Sequence, residues 1–205
     1  NDRGARAATT FGSVAAAGGN MVFIKKLTAS SSGTLSFVDG TSSVVLDSTY
    51  KEYIFTFKDM HPSTGANFAF QGNAAGGSGY NETITSTFFY AYLKESDGSD
   101  GTLMYNTGRD LAQSTSFHTI SADNTGTDND LALSGYLHLF NPSSTTFVKH
   151  FISRVSNPNG SGSSTYMCDC HSAGYFNTTS AIDEIQFKFA SGNIDAGDIC
   201  LYGIL

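Results

Sequence analysis

The chain has 205 residues and a formal net charge of −7 at pH 7, from 18 Asp and Glu against 11 Lys and Arg. Its basic residues form no cluster of the kind that binds nucleic acid, and no run of about eighteen apolar residues marks a membrane span. The 3 cysteines are too sparse for a disulfide framework.

Hydrophobic residues make up 40 % and charged residues only 14 %, so the chain holds enough apolar material for a core under a surface of Gly, Ser, Thr and Asn. Residues 1–19, "NDRGARAATTFGSVAAAGG", are small and polar and carry Arg3 and Arg6. They read as an extended N-terminal arm that docks on a neighbouring protein, and they lack the apolar segment of a secretory signal.

From Asn20 onward the dominant signal has period two. Strands are expected at 21–29 and 34–38. "YKEYIFTFKDM" then sets Tyr53, Phe55 and Phe57 against Glu52, Thr56 and Lys58. Another strand is expected at 66–71, and "TITSTFFYAYL" aligns Ile84, Phe88, Tyr90 and Tyr92 on what reads as a packed face. The acidic segment 95–101, "ESDGSDG", reads as a turn, and a short helical turn is expected at 111–114. Strands follow at 133–140, 146–155 and 166–173, and "AIDEIQFKFA" sets Ile185, Phe187 and Phe189 against Glu184, Gln186 and Lys188. Asp195 to Asp198 reads as turn chemistry, leading into a last strand at 199–205 that is apolar on both faces and therefore interior to a sheet.

Roughly ten strands separated by Gly-rich turns predict an all-β antiparallel β-sandwich, of jelly-roll type, over 20–205. Because the last strand lies inside the sheet, any tether to a larger assembly is expected on the N-terminal side.

The chemistry-bearing residues point to binding. "MCDCH" brings Cys168, Cys170 and His171 together, but on a strand the two cysteines share a face while His171 points away, and no second cysteine pair completes a zinc site. Asp123, Asp128 and Asp130 in "DNTGTDND" are the candidate ligands of a calcium ion, in a turn whose composition is also that of ordinary loops. There is no G-x-S-x-G or H-E-x-x-H motif, and the five histidines are scattered. The sequence therefore implies no catalysis and no cofactor. For sugar binding, the tyrosines in or beside Gly-rich turns are Tyr80, Tyr105 and Tyr175, the expected surface contacts.

Several longer stretches carry a resemblance. "NMVFIKKLTASSSGTLSFVDG", "YKEYIFTFKDMHPST", "FQGNAAGGSGYNETITSTFF", "LHLFNPSSTTFVKHFISR" and "AGYFNTTSAIDEIQFKFASGNIDAGDICLYGI" are similar to a domain of tailed-phage virion proteins common in phages of marine bacteria, including cyanophages. The similarity runs from about residue 20 to the end. It implies a structural or tail-fibre protein of the virion, with other virion proteins as partners and no catalytic residue. Single β-sandwiches on virions commonly close around a threefold axis, so a homotrimer is expected. Arg3 and Arg6 would then dock the arm on the particle. Two other roles stand beside host attachment: a decoration or cement protein of the head, and a carbohydrate-binding module for host surface glycans.

Overall fold

The computed structural model describes residues 20–160 and 165–205. The expected arm, with Arg3 and Arg6, lies outside the described residues. Those residues form twelve strands and no helix: β1 (Met21–Thr28), β2 (Leu35–Val38), β3 (Glu52–Pro62), β4 (Phe68–Ala74), β5 (Ile84–Lys94), β6 (Asp97–Tyr105), β7 (His118–Thr119), β8 (Leu133–Phe140), β9 (Lys149–Asn159), β10 (Tyr166–Phe176), β11 (Ile182–Phe189) and β12 (Ile194–Ile204).

They make two antiparallel sheets, one of eight strands in the order β1-β12-β3-β8-β9-β10-β5-β6 and one of four in the order β2-β11-β4-β7. Setting aside β5, β6, β9 and β10, the larger sheet contributes β1-β12-β3-β8 and the smaller β2-β11-β4-β7. With these eight strands numbered along the chain, the orders are 1-8-3-6 and 2-7-4-5, the winding of a jelly roll. The sandwich and its jelly-roll topology are therefore as expected. The hairpins β5–β6 and β9–β10 are insertions, and both extend the larger sheet beyond β8.

The alternation in the sequence produces the core. Tyr53, Phe55 and Phe57 on β3 and Ile185, Phe187 and Phe189 on β11 are buried between the sheets. Phe187 is the hub, its ring centroid 5.3 Å from Phe55, 5.2 Å from Phe57 and 6.3 Å from Phe37. The last two are edge-to-face, and pairs of this kind add to the burial of aromatic area. β12 pairs with β1 on one side and β3 on the other, as its two apolar faces require. On its inner side Gly203 makes room for the Tyr50 ring, which a Cβ there would overlap.

Three local readings are corrected. The segment 195–198 is not a turn between strands; it belongs to β12, where the pairing with β3 shifts register at Ala196 and Gly197 adopts φ +119°. A bulge uses the same Gly and Asp chemistry as a turn without ending the strand. Residues 111–114 form no helix; Ser114 instead bridges Ile84 and extends the edge of β5. Most of the acidic segment 95–101 is strand: β6 starts at Asp97, leaving Glu95 and Ser96 as the turn. Pairing with β5 overrides the weak strand propensity of Asp and Gly.

Candidate functional site

The larger sheet extends past the smaller one, and the overhang creates a cleft. The four-stranded sheet covers the larger sheet as far as the start of β5, where Phe70 packs on Phe151 and Phe176 and His118 meets Ser86, while the far ends of β5 and β10, with β6, run on beyond it. Along the inward face of β5, Ile84, Ser86 and Phe88 are buried, whereas Tyr90 and Tyr92 farther along are only half-buried. Register places Cys170 and Met104 beside Tyr90, Cys168 beside Tyr92, and Tyr166 beside Lys94 on that same face. The loop between β7 and β8 closes the other side with Asp123, Asn124 and Gly126. The space between them is an open cleft of about 470 Å³, within the range of small-ligand sites.

Its floor is aromatic. The Tyr90 and Tyr92 rings lie side by side, with centroids 6.1 Å apart and planes inclined at 35°. Tyr166 stands edge-on to Tyr92 as a wall, at 5.5 Å and 85°. Tyr90 donates its hydroxyl to the Met104 sulfur at 3.5 Å, and burial, with lesser contributions from Cys168 and Asp123, raises its pKa. Tyrosine suits such a position because its ring packs inward while its hydroxyl meets water.

The rim is polar and its charges are matched. Asp123 accepts from the Asn124 backbone N–H at 3.0 Å, and Arg109 Nη2 lies 3.9 Å from its Oδ1. The guanidinium is itself held by the Ala122 carbonyl, at 3.2 Å from Nε and 3.0 Å from Nη2, and by Asn67 Oδ1 at 3.1 Å. In turn Ala122 N–H donates to Asn157 Oδ1 on β9 at 3.1 Å. The loop bearing Asp123 is thus fastened to the sheet it faces.

The residues expected from the sequence to make a binding surface are scattered. Tyr105 is exposed on the outer face of the larger sheet, where its hydroxyl donates to Asp110 at 2.5 Å. Tyr175 lies on β10 with its ring 5.7 Å from His150. Tyr80 sits near Ser36 and Glu184 at the edge of the smaller sheet, its pKa raised chiefly by burial. Of the three calcium candidates, Asp123 lines the cleft and Asp130 a separate depression beside Pro158, while the Asp128 carbonyl accepts from the Leu131 N–H. Among the described residues, no group of three His, Cys, Asp or Glu is placed to hold a metal.

Cys168 and Cys170 do share the inward face and are buried, with burial raising both thiols, Cys168 to about 11. His171 points outward, stacked on Phe89 with its Nε2 3.3 Å from Asp169. A serine–histidine pair also exists, Ser86 Oγ and His118 Nδ1 at 3.2 Å. Both side chains are buried, and burial holds His118 down at about 4.

Alternation sets Tyr90 and Tyr92 on the packed face, and the structure turns them to that side. Their signal is the change from Ile84 and Phe88 to hydroxyl-bearing rings along one face of β5, which marks where that face becomes wet. What this arrangement can do chemically is hold a flat ligand against the tyrosines and hydrogen-bond it from the rim. No protein-family model matches the chain, and no curated protein matches it in sequence.

Proposed function

We propose that this chain is a structural module of a tailed-phage particle, of tail-fibre or receptor-binding type, which acts by binding rather than by catalysis. The observation that carries the reading is the outer face of the eight-stranded sheet. At its extended end Leu93 pairs with Met167, Ala91 with Leu103, and Phe89 with Tyr105. All of these side chains point to solvent, Leu103 with 68 % of its surface exposed. Ile152 and Tyr136 continue the surface across β9 and β8. Between them lie Asp169, His171 and Arg154, joined as one ion-pair cluster, and an exposed face that mixes apolar side chains, aromatics and arginine in this way is what an assembling protein covers with a partner. Further copies of the chain, closing as a homotrimer, would do so, and attachment to other virion proteins would leave through the arm at 1–19.

The sequence resemblance over residues 20–205 supports the virion assignment, and the tyrosine cleft supports contact with a host surface. The same exposed face favours one alternative, a decoration protein seated between capsid subunits. Gold-labelled antibody on intact particles tests the reading. Label at the tail is the expected result. Label over the head replaces host attachment with decoration, and unlabelled particles overturn the virion assignment.

A further inference from the structure

We propose that the cleft between the β5–β10 overhang and the β7–β8 loop is a saccharide site that takes an uncharged pyranoside. The inference rests on the host-contact reading only for the natural source of the sugar; the site itself is argued from its residues.

The floor selects a flat ligand. Tyr90 and Tyr92 project from one strand two residues apart, so their rings make a continuous platform, and Tyr166 bounds it edge-on. The face of a pyranose that carries its axial C–H groups bears a slight positive charge and lies well on the negative face of such rings. A cation cage would need rings arranged around a point, and two neighbours on one strand do not surround one.

The rim selects hydroxyl groups. Asp123 only accepts hydrogen bonds, whereas Asn124 both donates and accepts. Both line the cleft together with the tyrosines, and neighbours of this kind match the donor-acceptor pattern of vicinal hydroxyls. Asp123 is 70 % exposed at its side chain and so is open to a ligand arriving from solvent.

Charge balance removes acidic sugars. The cations nearest the cleft are already engaged: Arg109 with Asp123, Asn67 and the Ala122 carbonyl, and Lys94 with Asp100 at 3.8 Å. A uronate or sialate would bring its carboxylate toward Asp123 where, among the described residues, the nearby Arg109 and Lys94 are already paired, in a chain of net charge −7. A quaternary ammonium, conversely, would find the Asp123 carboxylate shared with Arg109.

The test is an array of neutral hexose and N-acetylhexosamine oligosaccharides, with sialylated and uronate glycans alongside, probed with the full chain. Hits are titrated by NMR, with phosphocholine as a further probe. We expect saturable binding to neutral glycans and none to the acidic glycans or to phosphocholine. Tyr92→Ala should weaken binding at least about tenfold, and Tyr92→Phe should largely retain it. Asp123→Asn should weaken binding several-fold while leaving the thermal unfolding midpoint unchanged, because this side chain is mostly in solvent and Asn can still accept from the Asn124 N–H. Failure of every neutral glycan to bind, preference for acidic glycans or phosphocholine, or binding unaffected by either Tyr92→Ala or Asp123→Asn overturns the proposal. None of these outcomes alters where the antibody label falls on the particle, so the two readings fail separately.

Discussion

Ser86 Oγ and His118 Nδ1 approach to 3.2 Å inside the sandwich, and the hydroxyl also accepts from the Leu111 N–H at 3.0 Å. The pair ties β5 to β7 and to the loop before it. The His118 ring is enclosed by Phe70 and Phe151, with centroids at 5.7 and 5.5 Å.

That burial makes stability pH-dependent. His118 is held at about 4 against an ordinary 6.5, so between those values the unfolded chain binds a proton that the folded chain does not. Stability is then fully present above pH about 6.5 and declines as pH falls toward about 4, by up to about 3 kcal/mol. Denaturant unfolding at pH 7.0, 6.0, 5.0 and 4.5 should show this decline. His118→Gln should flatten it, and an unchanged slope in that variant would assign the effect elsewhere.

Lys149 carries a cation into the interior. It is fully buried, and its Nζ donates to the carbonyls of Phe147 at 3.0 Å and Thr178 at 3.1 Å, joining the start of β9 to the loop after β10. Replacing it with Met keeps the stem but leaves both carbonyls without their donor. Lys149→Met should cost about 1–3 kcal/mol of unfolding free energy, read from the denaturant midpoint at unchanged m-value.

The cysteines should divide by reactivity. Burial keeps the Cys168 and Cys170 thiols protonated, and only the thiolate attacks an alkylating agent. Cys200 is half-buried on the opposite face of the larger sheet. Iodoacetamide at pH 8 followed by mass spectrometry should label Cys200 in the native protein and all three only after unfolding. Early labelling of Cys168 would mean that the cleft opens far more than its packing indicates.

The assembly reading predicts that the outer face tolerates charge in the fold but not in the oligomer. Leu103 and Phe89 face solvent from neighbouring strands, so Leu103→Glu and Phe89→Glu should change stability by less than about 1 kcal/mol. Light scattering should give a trimer for the unmodified chain and a monomer for the double variant. A monomeric unmodified chain would remove the self-association part of the reading.

The sandwich was legible because a strand turns alternate side chains to opposite faces, and burial of one face writes a period of two into the residues. Tyr53, Phe55 and Phe57, or Ile185, Phe187 and Phe189, carry that period without interruption and are all buried. The interior position of β12 was legible for the same reason, from apolar residues on both faces. Where local composition misled, partner strands had decided. Residues 97–101 hold two Asp and two Gly yet pair with β5, and the Gly and Asp of 195–198 shape a bulge within β12.

The cleft belongs to the tertiary structure. Alternation states which way Tyr90 and Tyr92 point but not whether anything lies opposite them, because how far the facing sheet reaches is set by which distant strands pair. Two hairpins joined the larger sheet and none joined the smaller, and the far ends of β5 and β10 run past the smaller sheet, so a face that begins as core at Ile84 ends as an open platform at Tyr92. Tyr166 and Asp123 reach the same space from elements far apart in the chain, a convergence created by strand order and not by any short motif. The sequence by itself determined ten of the strands, their inward faces and the jelly-roll class; the overhang of the larger sheet past the smaller decided where an aromatic face would be left for a ligand.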